Sequence, residues 1–240
     1  MNVLITGGSS GLGSAITKQM ASEGKYNVYF TYARSKDKAK AIERQYSNCK
    51  AIKCDFKIAA EIEELIGIIP ELDIEILINN AYTGQFLDSY FHKSKEFDFM
   101  ESFSNNILPV IKITQTCITH FRKKKHGKIV TVLTAALVNN PPIGAAIYTA
   151  NKAYLMQLSK VWATENSKYG ITANTISPAF MQTDFTDSID DRIVEQIISG
   201  HPLKRLLTTD EVAESVLFLA KSTQQINGID LLLNSAVNIK

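Results

Sequence analysis

Tyr148 and Lys152 stand at i and i+4 in Tyr148-Thr149-Ala150-Asn151-Lys152, inside a run that reads as a helix from about Ala146 to Tyr169. That spacing puts both side chains on one helical face. A free phenol titrates near pH ~10, too high to exchange protons readily at neutral pH. A neighbouring ammonium favours the phenolate and is expected to lower that value. The pair suits an acid or base that exchanges a proton with an oxygen atom. By itself the spacing is also that of ordinary surface neighbours. A second chemical stretch is Thr6-Gly7-Gly8-Ser9-Ser10-Gly11-Leu12-Gly13, between the apolar run Val3-Leu4-Ile5 and the helix-like run Ser14–Met20. Strand, glycine-rich turn and helix form the context in which such a turn binds a dinucleotide. Glycines let the backbone approach a pyrophosphate, and the helix's first N–H groups face the anion.

The elements that must position these residues alternate. Strands are expected at Val28–Tyr32, Ala51–Cys54, Ile74–Ile78, Lys128–Leu133, Ile171–Ile176 and Gly228–Leu233. Helices are expected from Ser35, a candidate cap, to about Tyr46, and at Ala59–Ile68, Asp190–Ser199 and Thr209–Lys221. A long helical stretch from about Glu96 to Lys124 contains Pro109, which kinks it or divides it in two. Alternation of this kind, with strands apolar almost throughout, predicts one α/β domain. Its sheet is parallel and doubly wound, a Rossmann fold of three layers spanning residues 1–240. Tyr82–Lys95 and Phe180–Asp191 lack clear periodicity and follow strand ends, where ligands sit in such sheets. Their apolar and aromatic members (Phe86, Leu87, Tyr90, Phe91, Phe180, Met181, Phe185) suggest an apolar pocket.

After the second strand, a site that prefers NAD offers an acid to the ribose 2′-hydroxyl. Here the stretch is Thr31-Tyr32-Ala33-Arg34, with no carboxylate. Arg34 can pair with a 2′-phosphate and Ser35 can add a hydroxyl, so NADP is expected over NAD. Asp55, before Phe56, can equally cap the next helix.

Taken in order, the glycine stretch, Asn79-Asn80-Ala81, Asn106, Thr134, Tyr148/Lys152, Pro178–Thr183 and Lys204-Arg205-Leu206 through Glu211–Ala220 resemble the short-chain dehydrogenase/reductase family over nearly the whole chain. The branch is that of the 3-oxoacyl-[acyl-carrier-protein] reductases. The resemblance implies that Gly7, Ser9, Ser10, Gly11, Leu12 and Gly13 hold the cofactor's phosphates and that Asp55 and Phe56 flank its adenine. It implies Asn80 and Ala81 beside the ribose, with Pro178, the Phe180 backbone and Thr183 at the carboxamide. Tyr148 would exchange the substrate proton and Lys152 would hold the ribose and depress the tyrosine. Asn106 would position a water in a proton relay, and Thr134 stands where the family has a substrate-binding serine. It departs from the family at Thr134, at Tyr82 and Ala179 for glycines, and at Ser235-Ala236 for Gly-Gly. Ala179 after Pro178, in place of the family's glycine, is expected to forbid an easy positive φ.

Length and composition fit this expectation: 240 residues, 45% hydrophobic, 21% charged. A net charge of +2 gives no reason to invoke nucleic acid or an anionic membrane, and no apolar run is long enough for a bilayer span. The first strand begins almost at Met1, which leaves no room for a signal peptide, and Cys49, Cys54 and Cys117 show no metal or redox spacing. Free thiols in the cytoplasm and no bound metal are expected. Arg122–Lys128 is a basic run that reads either as a landing site for acyl carrier protein or as a solvated helix end. The resemblance implies a homo-oligomer, tetramer or dimer; Leu155, Met156 and Trp162 can serve that interface or the core. Three readings stay open here. They are an NADPH-dependent reductase of 3-oxoacyl thioesters or similar ketones, an alcohol, polyol or sugar oxidoreductase, and a cofactor-binding regulator with little turnover.

Overall fold

The computed structural model describes residues 1–87, 89–138, 140–187 and 189–237. Within them the chain runs β1 (Asn2–Ile5), α1 (Gly11–Ser22), β2 (Asn27–Tyr32), α2 (Lys36–Gln45), β3 (Cys49–Lys53), α3 (Ala59–Ile68) and β4 (Ile76–Asn79). It continues through α4 (Glu96–Asn106), α5 (Leu108–Lys124), β5 (Gly127–Val132), α6 (Ala146–Asn166), β6 (Ile171–Pro178), α7 (Asp191–Gly200), α8 (Thr209–Lys221) and β7 (Asp230–Leu233). The strands form one parallel sheet ordered β3-β2-β1-β4-β5-β6-β7.

Period-two alternation sends side chains to two cores. Val3, Ile5, Ile76, Ile78, Val130 and Val132 pack against α1, α2 and α8, through Ile16, Met20, Ile42 and Val216. Leu4, Leu77, Ile129 and Ala173 face the other way, against α3, α5 and α6, through Leu65, Ile113, Phe121 and Trp162. Leu155 and Trp162 therefore belong to the core, not to an exposed interface.

Several expectations shift by a turn or a strand end. The stretch around Pro109 is two helices. Ile107 separates them, and the proline, which has no N–H to give to the preceding turn, sits in the first turn of α5. β6 runs on to Pro178, β4 begins at Ile76 and β7 at Asp230. After α6 a 3-10 turn, Ser167–Tyr169, closes on left-handed Gly170. Ser35 precedes α2 without a side-chain cap bond, because its Oγ lies 2.7 Å from Ser9 Oγ. Asp55 does not cap α3 either; Ile58 takes that position, and Asp55 Oδ1 accepts the Lys57 N–H at 3.0 Å.

Ala179 shows no positive φ, and its N–H donates to Leu233 O at 2.8 Å, so the expected strain there is absent. It is found instead at Ser235 and Ala236, with φ of 50° and 60°. A left-handed conformation costs a residue with a Cβ about 1–2 kcal/mol, more than the entropy glycine loses on folding. The double change Ser235→Gly/Ala236→Gly is expected to raise stability by about 1 kcal/mol, which moves Tm up by about 3 °C in thermal unfolding. An unchanged or lower Tm would refute the account.

Candidate functional site

Strand ends on either side of the β1–β4 crossover meet at Thr6. Its Oγ1 accepts the backbone N–H groups of Asn80 and Ala81, each at 3.0 Å. Asn80 Nδ2 returns two bonds, to Thr6 O at 3.0 Å and Gly7 O at 3.2 Å. Gly7 takes φ +67° and gives its N–H to Thr31 Oγ1 at 2.8 Å. Thr17 Oγ1 donates to the carbonyls of Gly8 and Gly13, both at 2.9 Å. The turn is thus pulled onto α1, and a Cβ on Gly13 would lie 2.0 Å from Gly7 O. Ser10, the α1 N-cap, makes no side-chain cap bond, so the first N–H groups of the helix are left to a ligand.

The glycine turn floors a cleft of about 800 Å³ at the C-terminal edge of the sheet. Gly7, Ser9, Ser10, Gly11, Leu12 and Gly13 line one side, with Arg34 and Ser35 after β2 and Asp55 and Phe56 after β3. Asn80 and Ala81 follow β4, and Pro178, Phe180 and Thr183 lie at and beyond the end of β6. The far side holds Thr134, Tyr148 and Lys152. Every residue expected to hold the cofactor or move the proton lies on this wall except Asn106.

Asn106 ends α4, buried, and its side chain is committed. Its Oδ1 accepts the Thr83 N–H at 2.6 Å, and its Nδ2 donates to Ser102 O at 2.9 Å and Thr83 O at 3.1 Å. It pins the loop after β4 at the helix break and is not among the residues that line the cleft. Tyr90 and Phe91 are also off the wall, exposed on the surface. The stretch Phe180–Ile198, read from sequence as a segment that sets substrate choice, supplies Ile193, Gln196 and Ile197 of α7 to the wall, and His201 beyond it was not expected there. The i, i+4 pair Ile193/Ile197 was a visible signal, but nothing local said what that face would meet.

At the reacting end, α6 carries Tyr148 beneath the end of β5. Tyr148 and Thr134 both line this end of the cleft, and Thr134 Oγ1 accepts the Ala136 N–H at 3.2 Å. Lys152, one turn on, is buried and donates to Val132 O at 2.8 Å. Its ammonium lies 5.7 Å from the Tyr148 ring centre and 5.2 Å from that of Tyr82. Burial pushes the phenol of Tyr148 above its ordinary value; the Thr134 hydroxyl opposes this and the nearby Tyr82 adds to it. Burial also pushes Lys152 down to about 8.

The basic run lies elsewhere. Arg122 Nε donates to Asn166 Oδ1 at 2.6 Å and stacks over Tyr169, while Lys124 pairs with Asp73 at 2.7 Å. Lys128 is buried, its ammonium given to the Ser222 carbonyl at the end of α8. The run precedes β5, whereas the cleft opens beyond its last residue. The six residues of β5 set the two roughly 20 Å apart.

A family model described as Enoyl-(Acyl carrier protein) reductase matches residues 7–235. The chain belongs to the short-chain dehydrogenase/reductase family. Like that family it is an oxidoreductase. A 3-oxoacyl-[acyl-carrier-protein] reductase FabG from Staphylococcus aureus strain Mu50 is 31% identical over 244 residues, covering 98% of this chain and 97% of the relative. FabG of Escherichia coli strain K12 is 31% identical over 240 residues, covering 98% and 96%. A solved short-chain dehydrogenase/reductase family protein superposes with a TM-score of 0.86 at 26% identity, covering 98% of this chain and 96% of that one. An actinorhodin polyketide ketoreductase solved with NADPH shares the fold, with a TM-score of 0.87 at 21% identity over 99% of this reductase-family chain and 97% of its own.

Proposed function

We propose that the protein reduces a carbonyl group to a secondary alcohol with NADPH, and that its substrate is a 3-oxoacyl thioester, free or carried on acyl carrier protein. The observation that carries this is that Tyr148 and Thr134, with Lys152 one turn behind, line the same cleft as the glycine turn. The tight turn and the uncapped N-terminus of α1 fit a diphosphate. Arg34, Ser35 and Ser9 would hold a 2′-phosphate, Asp55 and Phe56 the adenine, and Asn80, Ala81, Phe180 and Thr183 the nicotinamide half. NADPH bound there would supply the hydride. Thr134 and Tyr148 aim two hydroxyls at one carbonyl oxygen. Burial keeps the Tyr148 proton in place at neutral pH, as an acid in the reductive direction needs. Tyr148 gives that proton to the substrate oxygen, and the Lys152 ammonium offsets the charge left on the phenol.

Consumption of NADPH on addition of a short 3-oxoacyl thioester analogue is the expected result. Nucleotide binding without turnover of that analogue or of any ketone overturns the reading. Cofactor choice is tested at Arg34. Arg34→Glu is expected to weaken NADPH about 100-fold while moving NADH by about 3-fold or less, since the change strikes a charge-assisted contact to the phosphate alone. Equal losses in a nucleotide fluorescence titration would remove the assignment.

A further inference from the structure

Nothing in the proton transfer requires the ring of Tyr82, yet it stands against the reacting phenol. It meets Tyr148 edge-on, ring centres 5.1 Å apart and planes at 83°. Phe86 meets the same phenol at 5.1 Å and 77°, and Phe185 lies tilted against it at 5.8 Å. Phe185 also touches the other two, at 5.8 Å from Tyr82 and 6.2 Å from Phe86. Aromatic rings at these spacings are in contact, so the flanks of the phenol are filled and its approach runs past Thr134. Tyr82 is braced from α6 as well. Asn151 Nδ2 reaches its hydroxyl at 3.4 Å and Ser102 Oγ of α4 at 2.9 Å, and the Lys152 ammonium lies over its ring.

The charges of the cleft are at the other end. Among the described lining residues Arg34, Asp55 and Lys57 follow β2 and β3, and Asp184 is drawn toward α2 by Lys38 at 2.8 Å. Lys152 is the charged side chain beside the phenol, and its ammonium is already bonded to Val132. A carboxylate or phosphate next to the reacting carbonyl would find no free counter-charge among the aromatic rings, and leaving it unpaired there is costly.

We propose that Tyr82 is the specificity-determining residue of the cleft: with Phe86 and Phe185 it leaves a slot beside Tyr148 for an uncharged carbonyl compound on a slim, unbranched carbon chain. The proposal deepens the reductase reading above and rests on it. The test compares a 3-oxobutanoyl thioester with its 2,2-dimethyl counterpart, which adds bulk beside the carbonyl; the ratio between variants cancels the difference in enolisation between the two compounds. Wild type is expected to prefer the slim substrate by about 100-fold in kcat/KM. Tyr82→Ala is expected to shrink that preference by about tenfold or more, and Tyr82→Phe, which keeps the ring, to leave it within about twofold. Phe86→Ala opens the slot from a second ring and is expected to act in the same direction. A ratio separates the slot from any general loss of rate through Lys152. An unchanged ratio in both folded alanine variants overturns the proposal. Calorimetric binding of the two product alcohols, with and without NADP⁺, reads the same slot without turnover: equal affinities in wild type and in Tyr82→Ala also overturn it. Failure of wild type to reduce any carbonyl compound sinks the underlying reading instead, and the binding arm still decides the slot.

Discussion

Replacing Tyr148 by phenylalanine is expected to leave about a thousandth of the wild-type kcat for carbonyl reduction, the loss typical of removing a positioned general acid. The ring stays packed against Tyr82, Phe86 and Phe185, so the fold and the nucleotide side of the cleft are undisturbed. Loss of the buried hydroxyl changes stability by about 1 kcal/mol or less, within some 3 °C in Tm. NADPH titrated by fluorescence should bind the variant as it binds wild type. A variant that kept even a tenth of the activity would show that the proton comes from another group. The same chemistry fixes the pH dependence. Lys152, held down to about 8 by burial, carries its charge on the acid side of that value and loses it on the alkaline side. The charged form is the one that offsets the phenolate, so kcat for reduction should hold a plateau below about 8 and fall above it. Tyr148 is raised and stays protonated through that range, adding no limb of its own. A profile that rises through the same window would mean that the neutral amine is the working form.

What could be read from the chain alone was local. The glycine turn and the Tyr148/Lys152 pair each lie within one short segment, where spacing sets geometry directly, and both are on the cleft wall. The strands announced themselves because helices cover both faces of the sheet and leave them apolar throughout. What the chain alone left open depends on distant segments. Tyr148 is buried under rings from the loops after β4 and β6, and burial pushes its phenol up, a cost no i, i+4 argument contains. The bonds from the Asn106 side chain to Thr83 depend on the break before Pro109, which brings the loop after β4 to the end of α4. Substituting glycines at Ser235 and Ala236 was flagged by type, but only backbone angles distinguish those positions from Ala179, where the same substitution carries no strain.

Gly13→Ala is expected to be the most damaging small change to the nucleotide side. Its Cβ would lie 2.0 Å from Gly7 O and 2.6 Å from Asn80 Nδ2, closer than any real contact. The obstacle is backbone, and the side chain beside it already bonds Thr6 O and Gly7 O, so neither neighbour can give way alone. Relief requires α1 to back away from the turn, which breaks the Thr17 bonds to Gly8 and Gly13 and pulls the first N–H groups of the helix out of reach of a diphosphate. The expected cost is about 3 kcal/mol, seen as a fall of about 10 °C in Tm, together with a loss of nucleotide affinity of about 100-fold. Gly67→Ala in α3 is the matching control. A Cβ there meets nothing within 4 Å, and alanine is the better helix former by nearly 1 kcal/mol. Gly67→Ala should therefore raise Tm slightly and leave nucleotide binding alone. If both variants melt with wild type and bind NADPH equally, the turn is not held against α1 as described and the cleft cannot be the nucleotide site.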